Sequence, residues 1–263
     1  MITSSQNPKL KLARALQGRP KERREEGAFL AEGVRLIEEA LTAEWPIRFV
    51  LYSDGLSERG QVLIAKLQGA GLEIDEVAGD LLQSASGTET SQGILAVLEL
   101  GTLPLPDSPN FILIPDQIRD PGNLGTLIRT AAAAGVQAML LPPETTDAFA
   151  PKVVRAGMGA HFWLPIHTME WNEIEQVCKP ANLQIYLADM FGQSCWGTDF
   201  NAPLGLIIGG EAEGASEQAR QLANQTINIP ISEKVESLNA GVAGAVLMFE
   251  VVRQRTAALT KSS

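Results

Sequence analysis

The stretch FILIPDQIRDPGNLGTLIRTAAAAGVQAMLLP, Phe111 to Pro142, decides the fold. It begins and ends in short, wholly apolar runs, FILIP and AMLLP, with a helix expected between them from Asn123 to Gly135. Two apolar strands separated by a helix predict parallel pairing in a sheet covered on both faces. The alternation continues downstream: a helix around Pro151 to Ala160, LPIHT, a helix over Trp171 to Cys178, QIYLAD, LGLIIG, a helix at Ser216 to Asn224, INIPI, and a long helix from Ser237 to Arg255. The expected class is α/β, an open parallel sheet over residues 110–263. A domain of about 150 residues buries roughly 68–70% of its unfolded surface, enough for its own core.

Upstream, ELGTLPLPDSPN (Glu99 to Asn110) breaks all periodicity with three prolines and a glycine, so residues 101–109 read as a linker. Residues 1–100 read as a smaller α/β domain. Helices are expected at about Asn7 to Leu16, Phe29 to Leu41 (Leu30, Val34, Ile37 and Leu41 at helical spacing) and Glu58 to Gly69. Strands are expected at Arg48 to Tyr52, Leu72 to Val77 and Gly93 to Leu98.

Composition narrows the function classes. With 45% hydrophobic and 20% charged residues the chain is not a disordered one. Its longest apolar run, Ala240 to Phe249, is half of the roughly 20 residues a bilayer span needs. Two cysteines, Cys178 and Cys195, supply neither a disulfide framework nor a four-thiolate metal site, so a cytoplasmic protein without metal is expected. No apolar run follows Met1 as a secretory signal requires, although the acid-free first 21 residues share the composition of a transit peptide. A net charge of −10 opposes a nucleic-acid partner. Its distribution does the reverse locally: residues 1–24 hold Lys9, Lys11, Arg14, Arg19, Lys21, Arg23 and Arg24 against the single acid Glu22, a balance of +6 that leaves −16 for the remainder. A basic arm on an acidic body is one reading, a solvated helix face the other.

Ligands of open parallel sheets bind beyond the carboxyl ends of the strands. Three such places carry unusual residues. After FILIP, Asp120-Pro121-Gly122 makes a turn, Asn123 is a candidate helix cap and Arg129 follows six residues later. After LGLIIG come Gly209, Gly210, Glu211 and Gly214, whose G-G-x-x-x-G spacing is not the dinucleotide fingerprint. Glu211 and Glu213 disfavour a pyrophosphate, and glycines permit close backbone approach, so a cationic or neutral ligand fits better. In the third place Pro230 ends a strand, Ser237 is the expected N-cap, and Leu238-Asn239 opens an apolar helix that suggests a dimer interface.

In order and residue type these segments resemble the SpoU-type (TrmH-like) RNA ribose 2′-O-methyltransferases of the SPOUT class. Asn123, Gly125 and Arg129 match the family's first motif, Gly209, Glu211 and Gly214 the second, and Ile229, Pro230, Ser237, Leu238 and Asn239 the third. The segments ITSSQNPKLKLARAL and GAFLAEGVRLIEEAL resemble the substrate-binding domain that precedes the catalytic domain in many members. The resemblance implies an L30e-like amino-terminal domain, a carboxy-terminal trefoil knot that no periodicity could show, a homodimer through the catalytic domain, and S-adenosyl-L-methionine as methyl donor. It places Gly209, Gly210, Ile229, Pro230 and Leu238 around the cofactor, Arg129, Asn123, Glu211, Ser237 and Asn239 in the catalytic site, and Lys9, Lys11, Arg14, Arg23, Arg24 and Arg35 toward RNA. Lys152, Arg155 and His161 are further candidate RNA contacts beside their reading as ordinary surface residues, and His167 and Cys195 read as structural.

Removing a ribose 2′-proton needs a base or stabilisation of the developing alkoxide. An arginine has a free pKa of about 12.5–13.8, so Arg129 serves either as an unusually neutral base or as a cationic stabiliser. With its accessory amino-terminal domain the chain resembles the ribosomal-RNA enzymes of the family more than the transfer-RNA members that lack one, so the resemblance implies rRNA over tRNA. The alternatives are a tRNA 2′-O-methyltransferase, a non-catalytic RNA-binding dimerisation platform, and an ordinary nucleotide-binding enzyme, the last disfavoured by the missing G-x-G-x-x-G.

Overall fold

In the computed structural model the chain is described at residues 1–88, 91–210, 214–232 and 234–262. In chain order the elements are α1 (Pro8–Gln17), α2 (Pro20–Glu26), β1 (Ala28–Glu32), α3 (Val34–Thr42), β2 (Ile47–Tyr52), α4 (Glu58–Gly69), β3 (Ile74–Glu76), α5 (Gly79–Ala85) and β4 (Ile94–Glu99). They continue as β5 (Phe111–Asp116), α6 (Pro121–Ala133), β6 (Ala138–Leu141), α7 (Pro151–Gly157), β7 (Ile166–Thr168), α8 (Trp171–Cys178), β8 (Gln184–Ser194), β9 (Leu204–Gly209), α9 (Glu217–Leu222), β10 (Gln225–Asn228) and α10 (Ala240–Ser262). Two compact units result, Met1–Gly101 with Asp147–Phe162, and Thr102–Thr146 with Trp163–Ser263.

The first unit holds a four-stranded sheet in the order β1-β4-β2-β3. Its core gathers Leu10, Ala13 and Leu16 of α1 against Leu30, Phe49, Leu51 and Val97. The helix expected from Phe29 to Leu41 is a strand followed by a helix. Ala28–Glu32 is buried at all five positions and pairs antiparallel with β4, and Gly33, at φ +105°, separates it from α3. An apolar run buried on both faces has no period to read, and its partner strand lies more than 60 residues away in the chain. The Asp147–Phe162 segment completes this core. The Phe149 ring packs 4.9 Å from that of Phe29, and the Phe162 ring 5.4 Å from that of Trp45. Nothing in the strand–helix alternation separates this segment from its neighbours in sequence.

The second unit carries a six-stranded sheet, β10-β8-β9-β5-β6-β7, in which every neighbouring pair is parallel. Ile112, Ile114, Leu140, Ile185, Leu187 and Ile207 form its interior. The stretch expected as a linker is tied down within this unit: Thr102 Oγ1 donates to the Ile166 carbonyl at 2.9 Å, and His167 Nε2 lies 2.9 Å from the Leu103 carbonyl oxygen. At the sheet edge β10 pairs with two separated parts of β8, Gln225 and Thr226 opposite Tyr186 and Leu187, then Ile227 and Asn228 opposite Gln193 and Ser194. A Cβ on Gly192 would lie 2.5 Å from backbone atoms of Thr226 and Ile227, so only glycine lets the two strands meet there.

Candidate active site

The site is built where β5 and β9 end side by side, with Asp116 opposite Gly209. The cap of α6 is Asp120 rather than the expected Asn123: the Asn123 backbone N–H donates to Asp120 Oδ1 at 2.8 Å, and Pro121 fills the first helical position, where no N–H is needed. The Asn123 side chain is therefore not consumed by capping. Its Oδ1 accepts a hydrogen bond from Asn239 Nδ2 at 2.8 Å, joining the first and third sequence segments across 116 residues.

Asn239 is also the cap of α10, its Oδ1 accepting from the Val242 N–H at 3.1 Å and its carbonyl from the Ala243 N–H at 2.9 Å. Ser237, expected in that role, is exposed and lies two residues too early, because helical geometry begins only at Ala240. Close packing of α10 on α6 makes the asparagine pair possible. A Cβ on Gly244 would overlap Leu127, and one on Gly241 would lie 3.2 Å from Thr126 Cβ. Arg129 stands six residues beyond Asn123 on α6, about 9 Å of helical rise. Leu124, Leu127, Ile128 and Ala131 are buried, whereas Arg129 is exposed and makes no hydrogen bond or ion pair among the described residues.

The glycines of the second segment answer first to the chain's own backbone. A Cβ on Gly210 would lie 2.5 Å from the Gln117 carbonyl oxygen, and one on Gly209 2.9 Å from Gly214 C and Ala215 N. The Gly210 N–H donates to the Gly214 carbonyl at 3.1 Å, and of these three glycines only Gly214 has a left-handed φ, +71°. Glu211 lies outside the described residues. Asp116, which follows FILIP in the sequence and carries no assigned role there, closes β5 and is fully buried. Its Oδ2 accepts the Ser216 N–H at 2.6 Å, while Oδ1 has no partner among the described residues. Burial pushes this carboxyl above its ordinary range, with the Ser216 N–H opposing the shift.

Ile229 and Pro230 follow β10 rather than lying within it, half-buried and exposed respectively. Leu238 is half-buried, and neither its N–H nor its carbonyl is bonded among the described residues. Among those residues no three His, Cys, Asp or Glu gather as a metal site, and no helix is long and apolar enough to cross a membrane.

The basic residues of the first unit divide into two groups. Arg23, expected to face RNA, is only 2% exposed: its guanidinium pairs with Asp147 at 2.7 Å and donates to the Leu16 and Gly18 carbonyls. That burial removes it from any phosphate. Lys9 pairs with Glu73 and Asp75, and Arg14 donates to Ser84 Oγ and the Ser5 carbonyl. Lys11, Arg24 and Arg35 are exposed and make no such bonds among the described residues. His161 is also corrected as an RNA contact. It is buried with Nε2 2.8 Å from the Ala148 carbonyl oxygen, and burial lowers its pKa to about 4. Arg155 pairs with the buried Glu32 at 3.3 Å, whereas Lys152 is exposed.

Comparison with known proteins gives this geometry a context. Residues 110–249 match the SpoU rRNA Methylase family, and residues 7–96 match the MRM3-like substrate binding domain. An uncharacterised tRNA/rRNA methyltransferase of Synechocystis sp. is 31% identical over 98% of this chain and 96% of its own length. The 23S rRNA (guanosine(2553)-2′-O)-methyltransferase RlmP of Bacillus subtilis is 31% identical over 95% of this chain and 98% of its own. The SpoU methyltransferase AviRb of Streptomyces viridochromogenes, solved in complex with the cofactor AdoMet, superposes with a TM-score of 0.88 at 29% identity, covering 95% of this chain and 99% of that one.

Proposed function

Because the chain belongs to the SpoU rRNA methylase family, we propose that it transfers a methyl group from S-adenosyl-L-methionine to a ribose 2′-hydroxyl of large-subunit rRNA. The observation that carries the reading is the Asn239–Asn123 hydrogen bond, which gathers two sequence-distant segments at the strand ends, on the helix that presents an Arg129 unpaired among the described residues. The residues fit the cofactor. The Leu238 backbone, unbonded among those residues, offers a donor and an acceptor to an adenine edge, and Gly209 and Gly210 present bare backbone rather than a cationic phosphate cradle. Gly209, Gly210, Ile229, Pro230 and Leu238 would hold it.

When bound, the cofactor supplies an electrophilic methyl carbon on a sulfonium. Arg129 takes the cationic role, engaging the RNA phosphate and stabilising the 2′-oxygen as its proton passes to water. Asn123, held by Asn239, orients the ribose, and alignment of the 2′-oxygen with the carbon–sulfur bond accounts for much of the rate. Glu211 and Ser237 complete the site in this reading. Met1–Gly101 together with Asp147–Phe162, rather than residues 1–100 alone, serve as the L30e-like RNA-binding unit, and Thr102–Thr146 with Trp163–Ser263 as the catalytic unit, in a cytoplasmic homodimer formed through the latter. The apolar residues exposed on α10, Val242 and Phe249, support that interface. The split pairing of β10 and the close approach at Gly192 support a knotted carboxyl-terminal half.

Methyl incorporation from labelled cofactor into large-subunit rRNA tests the site. Arg129→Ala is expected to lose about 10²–10³ in rate, the scale of removing one oxyanion-stabilising donor. Wild-type incorporation by that variant, or by Asn123→Ala, would sink the assignment.

A further inference from the structure

Beyond the three segments, the buried carboxylate of Asp116 has no part in the steps above. Asp116 is the last residue of β5 and is fully buried in a sheet interior otherwise apolar on either side. A carboxylate there is destabilising unless its hydrogen bonds compensate. Only one is in place among the described residues, from the Ser216 N–H to Oδ2. Ser216 lies two residues after Gly214 of the Gly210–Gly214 bridge, and its Oγ in turn accepts the Ala219 N–H at 3.2 Å, starting α9. On the entry side the Gln117 carbonyl, adjacent to Asp116, packs where a Gly210 side chain would be. The Asp116–Gln117 pair thus grips both ends of the second segment: Gln117 bears on Gly210, and Asp116 ties down Ser216.

We infer that Asp116 is a positioning residue for the cofactor, acting through Ser216 to hold Gly214 against Gly210 in the arrangement that receives S-adenosyl-L-methionine. The inference rests on the reading of the second segment as the cofactor site. Asp116 need not touch the cofactor. The effect of losing its bond therefore falls on cofactor affinity, while turnover at saturating cofactor is largely spared.

The bond can be cut from either side. Asp116→Ala removes the acceptor, whereas Asp116→Asn keeps an oxygen that can accept the same N–H. Ser216→Pro removes the donor, and the residue's φ of −63° already suits proline. Ser216→Ala keeps the N–H while losing the Oγ cap, and so controls for it. Calorimetry with S-adenosyl-L-methionine on the full-length protein should show Asp116→Ala and Ser216→Pro weakened by about tenfold or more, the loss expected when a buried polar group is left unpaired. Asp116→Asn and Ser216→Ala should stay within about threefold of wild type, and saturated methylation rates of all four should do the same. Wild-type affinity in Ser216→Pro, an Asp116→Asn as weak as Ser216→Pro, or a loss confined to turnover overturns the inference. If Asp116→Ala does not fold, the Ser216 pair decides alone. A wild-type protein that failed to bind the cofactor would instead strike the cofactor reading on which this one rests.

Discussion

Several basic residues of the first unit are spent on its own acids; the strand ends of the second leave polar groups open. Arg23 meets Asp147, Lys9 meets Asp75, Arg48 meets Glu99, Arg59 meets Glu38 and Arg155 meets Glu32, all within one unit. At the ends of β5, β9 and β10 the reverse holds among the described residues. Arg129 has no partner there, the Leu238 backbone is unbonded, and one oxygen each of Asp116 and Asn228 is buried without a hydrogen bond. Folding tends to satisfy buried polar groups, so a satisfied arginine reports on architecture, while clustered unsatisfied groups report on a ligand. Counting basic residues along the chain cannot make this distinction, since Arg23 and Arg24 are adjacent in sequence and opposite in burial.

The contrast breaks most visibly at Arg23. Arg23→Ala leaves Asp147 and two carbonyls without their donor and is expected to cost about 3–5 kcal/mol, read as a lower unfolding temperature or faster hydrogen exchange in β1 and β4. Stability unchanged by that substitution would remove the architectural half of the comparison. A comparable effect is expected from pH. The folded unit holds His161 neutral down to about 4, while the unfolded chain takes up a proton near 6.5. Its contribution is complete above 6.5 and drains away as pH falls toward 4, amounting to about 3 kcal/mol. Exchange protection of first-unit amides at pH 7 and 4.5 should therefore differ more in wild type than in His161→Gln; equal differences would count against it.

The smallest effect sharpens the division among the basic residues. Neutralising Lys11, Arg24 and Arg35 together should reduce the salt slope of RNA binding by about 2–3, nearly one for each phosphate left without its cation, with cofactor affinity unchanged. A slope that does not move would place the RNA on another surface.

Much of the second unit was legible in the sequence because its signals are local. Apolar runs ending in turn residues gave the parallel strands, and the residues just after them hold Asn123, Gly209 and Asn239. What was not legible depended on distant partners. FLAE at Phe29 to Glu32 satisfies a helical or an extended reading until β4 arrives to pair with it. The true caps, Asp120 and Asn239, stand beside equally good candidates three and two residues away, and only the helix starts decide between them. Asp116 carries no assigned role in the sequence, since burial of a carboxylate is visible only once its strand is central in the sheet.

The Asp147–Phe162 segment has a consequence for synthesis. The ribosome releases β1, Trp45 and Arg23 long before Phe149, Phe162 and Asp147, the residues that close around them. An amino-terminal domain ordinarily folds as soon as it emerges. Here the first unit waits through the making of β5, α6 and β6, with an aromatic cluster uncovered and an arginine lacking its carboxylate. The nascent chain must carry that unfinished surface for more than 40 residues of elongation, which makes this interval, rather than the folding of either finished unit, the stage most exposed to misassembly.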